Sequence, residues 1–286
     1  MKTILVPTDY SENAHHALRF VFQMSEQLEW KICVFHWTEI LIPTSTPQFV
    51  YKEVYEEKKA EHLAALKEDT EKALKNSGRE LRNKDILYSL KDAFSLEEGL
   101  LEAVKEFQVD LIVMGTLGAS GLAKLFLGTN TANVIDKADV PTIAVPAGYQ
   151  IAPITKIAYA SDLKNVTNEV GELVTFAKLF GATIEIFHVY PSFPQWVEPT
   201  QENLEELSKS LHAAYPGQKF TIHVVQTYKE NDTVYGIKKF VDSYKPDMLA
   251  MFTVKRSFWD KLFEPSRTEE VAFNTNIPLL TLKKAI

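Results

Sequence analysis

Four of the 11 glycines in this 286-residue chain lie between positions 115 and 128. Three of them precede a hydroxyl in a regular spacing: Gly115, two residues, Gly118, nine residues, Gly128, then Thr129. A backbone that must approach an anion closely, or turn with positive φ, cannot carry a Cβ. The free N–H groups and dipole of a helix start favour negative charge. Gly128-Thr129-Asn130 stands where a helical run, Thr131 to Lys137, begins, so its N–H groups and the Thr129 hydroxyl suit a phosphate. The spacing is not a P-loop, which needs Lys directly after its last glycine, nor the dinucleotide fingerprint. A second set is Pro7-Thr8-Asp9, where the first apolar run ends. A carboxylate there can accept hydrogen bonds from hydroxyl or amino groups of a ligand. Alone, Asp9 reads as a turn residue or a helix cap. Its pairing with the distant glycine loop favours a ligand.

Alternating elements position these residues. Short apolar runs at Ile4–Val6, Ile32–Trp37, Ile86–Leu90, Leu111–Met114 and Pro141–Val145 read as buried strands. Between them lie helical patterns: one from Ser11 with Ala14, Leu18, Val21 and Phe22 in phase, one from Tyr51 to about Asn76, and one capped by Ser95. Strand–helix alternation predicts an α/β fold, a parallel sheet with helices on both faces. Ligands of such sheets sit at the carboxyl ends of the strands, where the strand order reverses. Pro7-Thr8-Asp9 and Met114-Gly115 both fall at such ends.

The stretch around the glycines resembles the ATP-binding signature of the universal stress protein family, with Gly115, Gly118, Gly128 and Thr129 matching each position. The resemblance implies Rossmann-like domains of the adenine nucleotide alpha hydrolase type, each a five-stranded parallel sheet. It implies ATP or AMP as ligand, with Mg accompanying ATP. It carries over to Pro7, Thr8, Asp9, Met114, Gly115, Gly118, Gly128, Thr129 and Asn130 as nucleotide-lining positions. Trp37, after the second strand, aligns with an adenine-side apolar position. The alternative is that Trp37 caps the core.

The second half repeats the first. KIAYASDLKNV, from Lys156, follows the layout of TILVPTDYSEN, with Asp162 for Asp9. Asp110 to Met114 pairs with Asp247 to Met251, and Lys124-Leu125-Phe126 with Lys261-Leu262-Phe263. Two tandem domains are therefore expected, 1–147 and 154–286, joined by the proline-bracketed linker 148–153. The repeat replaces Gly115 by Phe252, Gly118 by Lys255 and Gly128 by Pro265, which has no N–H to donate. One nucleotide per chain, in the first half, follows. Thr142–Val145 and Leu279–Leu282 are apolar edge candidates. Since domains of this family usually pair through their last strands, an intrachain pseudo-dimer is expected, with a homodimer of chains as a further assembly.

A net charge of −7 argues against nonspecific binding to nucleic acid or an anionic membrane. The N-terminus lacks a signal-peptide core and no run of 18 apolar residues exists, so a cytoplasmic protein is expected. The single cysteine, Cys33, reads as a small core side chain. His15 and His16 read as surface residues with no carboxylate partner at metal spacing, and His36 and His188 as structural. No metal site is expected. Three function classes remain: a nucleotide-binding stress or signalling module; a slow ATPase or adenylyl or phosphoryl transferase; and a ligand-free scaffold. The intact glycine signature favours the first. No paired carboxylates or general base stand beside the loop, which weighs against committed catalysis, and no catalytic residue is assigned.

Overall fold

The computed structural model describes residues 2–27, 30–78, 86–116, 129–191, 199–228, 233–253 and 276–283. These form two compact units, one drawn from the described residues up to 147 and one from those after it.

The first unit runs β1 (Thr3–Pro7), α1 (Glu12–Gln27), β2 (Lys31–Thr38), α2 (Tyr51–Asn76), β3 (Ile86–Asp92), α3 (Leu96–Glu106), β4 (Leu111–Gly115), α4 (Thr129–Lys137) and β5 (Thr142–Val145). Side-chain caps start two of these helices. The Ser11 hydroxyl accepts the Ala14 N–H at 3.2 Å and the Ser95 hydroxyl accepts the Glu98 N–H at 3.2 Å. The strand order is β3-β2-β1-β4-β5 and every described pairing is parallel. The order reverses between β1 and β4, which are joined at Ile4–Leu111 and Leu5–Ile112.

Period-two alternation splits the strand side chains between two cores. Leu5, Cys33, Phe35, Ile112 and Met114 pack with Leu100 and Ala103 of α3, Val134 of α4 and Ala138 just after it. The opposite parity, Ile4, Val6, Ile32, Val34, Leu111 and Val113, is fully buried as well. On that side α1 contacts β1 and β4, α2 contacts β2 and β3, and the two helices meet. Burial on both faces explains why these strands read as continuous apolar runs. Burial also pushes the Cys33 thiol up to about 12, which keeps it protonated and inert.

The second unit runs β6 (Lys156–Ala160), α5 (Val166–Glu169), α6 (Gly171–Phe180), β7 (Thr183–Pro191), α7 (Gln201–Ala214), β8 (Phe220–Thr227), α8 (Thr233–Tyr244), β9 (Met248–Thr253) and β10 (Leu279–Lys283). Its order, β10-β9-β6-β7-β8, has the same parallel connectivity. Two elements differ from the first unit. The helix after the first strand is interrupted at Val170, and α7 has 14 residues where α2 has 26.

The same fastening recurs at the amino ends of the strands. Asp110 accepts the Thr3 N–H at 2.9 Å, and Asp247 accepts the Lys156 N–H at 2.9 Å. The Asp247 oxygen also accepts the Thr155 N–H at 2.7 Å and hydroxyl at 2.8 Å. Each carboxylate ties the start of a fourth strand to the start of a first strand. Asp247→Ala is expected to lower stability by about 1 kcal/mol, since water can partly replace bonds at this exposed edge. A smaller loss is expected for Asp110→Ala. Urea midpoints of the two variants check this order.

Candidate functional site

At the carboxyl edge of the first sheet, β1 and β4 leave side by side. The chain turns sharply after β1. Thr8 donates its N–H to Phe35 O at 2.8 Å, and its hydroxyl accepts the Tyr10 N–H at 3.0 Å. The Asp9 carboxylate accepts the Ser11 N–H at 3.1 Å. Tyr10 takes φ +63°, a conformation uncommon for a residue with a side chain. The two side-chain bonds hold it there and deliver Ser11 to its capping position. Thr8 is buried, whereas Asp9 is exposed at the edge. Asp9 is therefore a turn and cap residue as well as a group facing outward from the sheet.

His36, at the end of β2, places Nδ1 2.8 Å from Thr8 O. A carbonyl oxygen only accepts, so Nδ1 carries the proton. Burial, countered by this bond and reinforced by nearby His62, holds His36 below the ordinary histidine range. The folded chain thus binds this proton more weakly than the unfolded chain. The resulting stability is present above the ordinary value of 6.5 and is lost as pH falls through the folded value. A lower urea midpoint is expected for the first unit at pH 5.5 than at pH 7.5. His36→Asn keeps an N–H for Thr8 O without the titration, and a flatter pH profile is expected for it.

Gly115 ends β4 next to this turn. A Cβ at Gly115 would lie 2.9 Å from Asn13 O and 3.2 Å from Asn13 C, in the first turn of α1. Only glycine lets the helix start come so close to the strand end. The Gly115 carbonyl accepts the Thr131 hydroxyl at 2.9 Å, which draws the first turn of α4 to the same point. Two helix starts and two strand ends converge at the reversal of strand order, where open parallel sheets bind ligands.

Of the ten residues named from the sequence, Pro7, Thr8, Asp9, Met114 and Gly115 gather at this edge. Pro7 and Met114 are buried, and Met114 belongs to the core beneath α3 and α4. Thr129 and Asn130 form the start of α4, two residues earlier than the helical pattern predicts, and Asn130 is exposed. Trp37 packs against the α3–α4 core and donates its indole N–H to Ala93 O at 2.7 Å. That contact matches the core-capping alternative for Trp37. Gly118 and Gly128 lie outside the described residues, as do Lys124, Lys255 and Pro265.

Two features were not legible in the sequence. Thr131 lies in the helical run, and its bond to Gly115 could have been found only from the fold. His15 is not a surface residue without a carboxylate partner. Its Nε2 lies 2.8 and 3.0 Å from the two oxygens of Asp69, because α2 lies alongside α1. The same carboxylate, after burial, pushes the Tyr10 hydroxyl up to about 12. Among the described residues no group of three or more His, Cys, Asp or Glu side chains is placed to hold a metal ion.

The second unit keeps the turn. Ser161 donates its N–H to Phe187 O at 2.9 Å, its hydroxyl accepts the Leu163 N–H at 3.0 Å, and Asp162 accepts the Lys164 N–H at 2.9 Å. His188 stands 2.8 Å from Ser161 O. At the position of Gly115, however, stands Phe252, whose ring meets Tyr159 edge to face at 5.3 Å. A side chain occupies what is backbone-to-backbone contact in the first unit.

Among the described residues no helix is long and apolar enough to cross a membrane. Comparison with known proteins agrees with this geometry. The universal stress protein MJ0577 of Methanocaldococcus jannaschii is 28% identical over 155 residues, covering 50% of this chain and 94% of the relative. The crystal structure of a universal stress protein from Archaeoglobus fulgidus DSM 4304 covers 99% of this chain and 98% of its own, with a TM-score of 0.68 at 16% identity. PA1789 from Pseudomonas aeruginosa PAO1, a protein of unknown function, covers 99% and 93%, with a TM-score of 0.57 at 17% identity. At such identities the two structures speak for the fold of both units. The model of the universal stress protein family matches residues 1–146, more than half of the chain and all of the strand ends and helix starts that meet at Gly115. The chain therefore belongs to the universal stress protein family.

Proposed function

We propose that the first unit, as a domain of residues 1–147, binds an adenine nucleotide at the carboxyl edge of β1 and β4 and serves as a ligand-controlled module of a cytoplasmic stress response. The observation that carries this reading is the convergence at Gly115. There α1 and α4 start beside two strand ends, in the unit that has glycine and not phenylalanine at this position. The first turn of α1 is already served by Ser11 and Asp9. The phosphate end of the ligand is therefore assigned to the start of α4, with Thr129, Asn130 and the glycines before them. The base and ribose are assigned to the side of Thr8 and Asp9. The domain 154–286, with Phe252 at the corresponding junction, holds no nucleotide in this reading.

ATP and AMP both fit this assignment, Mg entering only with the phosphates of ATP. Nucleotide released from purified, denatured protein and identified by mass identifies the ligand. Titration calorimetry with ATP and AMP then tests the site. Asp9→Asn is expected to weaken binding about tenfold, because an amide carries no charge and one acceptor oxygen fewer than a carboxylate. No heat with either nucleotide at millimolar concentration would overturn the assignment. Sustained turnover to ADP or AMP would replace the binding module by an enzyme.

A further inference from the structure

Helix α2 is longer than the sheet it covers. Its 26 residues extend about 39 Å, against about 26 Å for the eight residues of β2, the longer of the two strands it packs on. Its buried side chains, Leu66, Thr70 and Ala73, all lie in the carboxyl half. The chain leaves β2 at the carboxyl edge and returns along α2 to begin β3, so the amino half of α2 stands beyond that edge. The buried stripe continues there at helical spacing through His62, Lys58 and Tyr55, which are partly buried, while Glu56, Glu57, Lys59, Ala60 and Glu61 are exposed.

Side-chain contacts show what this overhanging stripe faces. The Tyr55 hydroxyl is held above the ordinary tyrosine range by burial and then by Asp92, with which it hydrogen-bonds, at the end of β3. Asp92 also accepts the Ile40 N–H at 3.2 Å, tying the β2–α2 connection to the same point. His62 is close enough to His36 for their charges to oppose one another, and His36 is bonded to Thr8 O beside Asp9. Farther down, Asp69 binds His15 of α1 at 2.8 Å and anchors the helix. The overhang therefore stands over the ends of β2 and β3, away from α4.

The second unit supplies an independent observation. Its junction is filled by Phe252, and its corresponding helix, α7, stops at 14 residues. The shortfall is close to the length of the overhang. The glycine at the junction and the overhang occur together in one unit, and both are missing from the other.

We propose that residues 51–63 of α2 form the outer wall of the nucleotide site and that His62 is a specificity-determining residue that hydrogen-bonds the base-and-ribose end of the ligand. This rests on the nucleotide reading of the same site. Because the phosphate end lies at α4, His62 acts on AMP and ATP alike. The test uses the full chain and titration calorimetry with each nucleotide. His62→Ala is expected to weaken AMP and ATP binding by the same factor, about tenfold, the effect of one lost hydrogen bond to a ligand. His62→Asn is expected to recover most of it. Glu61→Ala, one residue away and turned outward, is expected to bind as the wild type does. Unchanged affinity in His62→Ala, with the wild type binding, overturns the proposal and leaves the nucleotide reading intact. Loss for ATP alone overturns it too, by placing His62 at the phosphates. An equal loss in Glu61→Ala does the same, by making the effect one of helix stability. A wild type that binds neither nucleotide removes the premise, and the proposal falls with it.

Discussion

Gly115→Val is expected to destabilise the ligand-free first unit by about 3 kcal/mol, the upper end of the range for overpacking. The first added atom already lies 2.9 Å from Asn13 O and 3.2 Å from Asn13 C. These are backbone atoms of a helix turn, so no rotamer change can move them aside. Relief requires α1 to shift from β4, and α1 also packs on β1 and β5. The valine carries two methyl groups beyond the Cβ, which makes the shift larger. Urea unfolding without nucleotide measures the effect. If Gly115 served only to admit a phosphate, ligand-free stability would be unchanged and only affinity would fall. The structure leads to the opposite expectation: stability falls first, and affinity falls with it because the start of α1 is displaced.

The second large effect is expected at Gly236, in the first turn of α8. Alanine is ordinarily better than glycine in a helix by about 1 kcal/mol. Here the added Cβ would meet Val189 Cγ1 at 2.3 Å, Val189 Cγ2 at 2.9 Å and Thr227 Cγ2 at 3.0 Å. Val189 and Thr227 are β-branched and lie on paired strands, so they have few rotamers into which to retreat. Overpacking outweighs propensity, and Gly236→Ala is expected to lose about 2 kcal/mol net. Gly99, 137 residues earlier in α3, is the control. Its Cβ would approach Lys91 Cβ at 3.1 Å, Ala93 Cβ at 3.4 Å and the ring tip of Phe35 at 3.5 Å. Gly99→Ala is therefore expected to change stability by less than about 1 kcal/mol. A gain in stability for Gly236→Ala would show that the strands give way more readily than their branching implies.

Local chemistry in the sequence was enough for most of the elements. Ser95 caps α3 as its position before Leu96 and Leu100 indicates, and α2 spans Tyr51–Asn76 because alanine, leucine, glutamate and lysine favour a helix throughout. Two boundaries depended on neighbours instead. α4 begins at Thr129, among poor helix formers, where the Thr131 hydroxyl is fastened to Gly115 O. β3 runs on through Lys91 and Asp92 because β2 pairs with it that far. Contacts made across long separations were not legible. Asp69 is 54 residues from His15, and nothing in either segment announces the pair. Gly115 was legible as a residue needing no side chain, but not for its reason. The spacing pointed to an anion, whereas the structure adds the carbonyl of Asn13.

The reversal of strand order also constrains how the protein is made. β4 lies against β1, yet Asp110 and Thr3 are 107 residues apart. While a ribosome is still producing the segment between them, β1 has β2 on one flank and nothing yet available for the other. For that interval its free flank is a template for unwanted pairing. The junction at Gly115 comes into being only when the fourth strand is inserted, so the ligand proposed for it can stabilise the unit only once that insertion is complete.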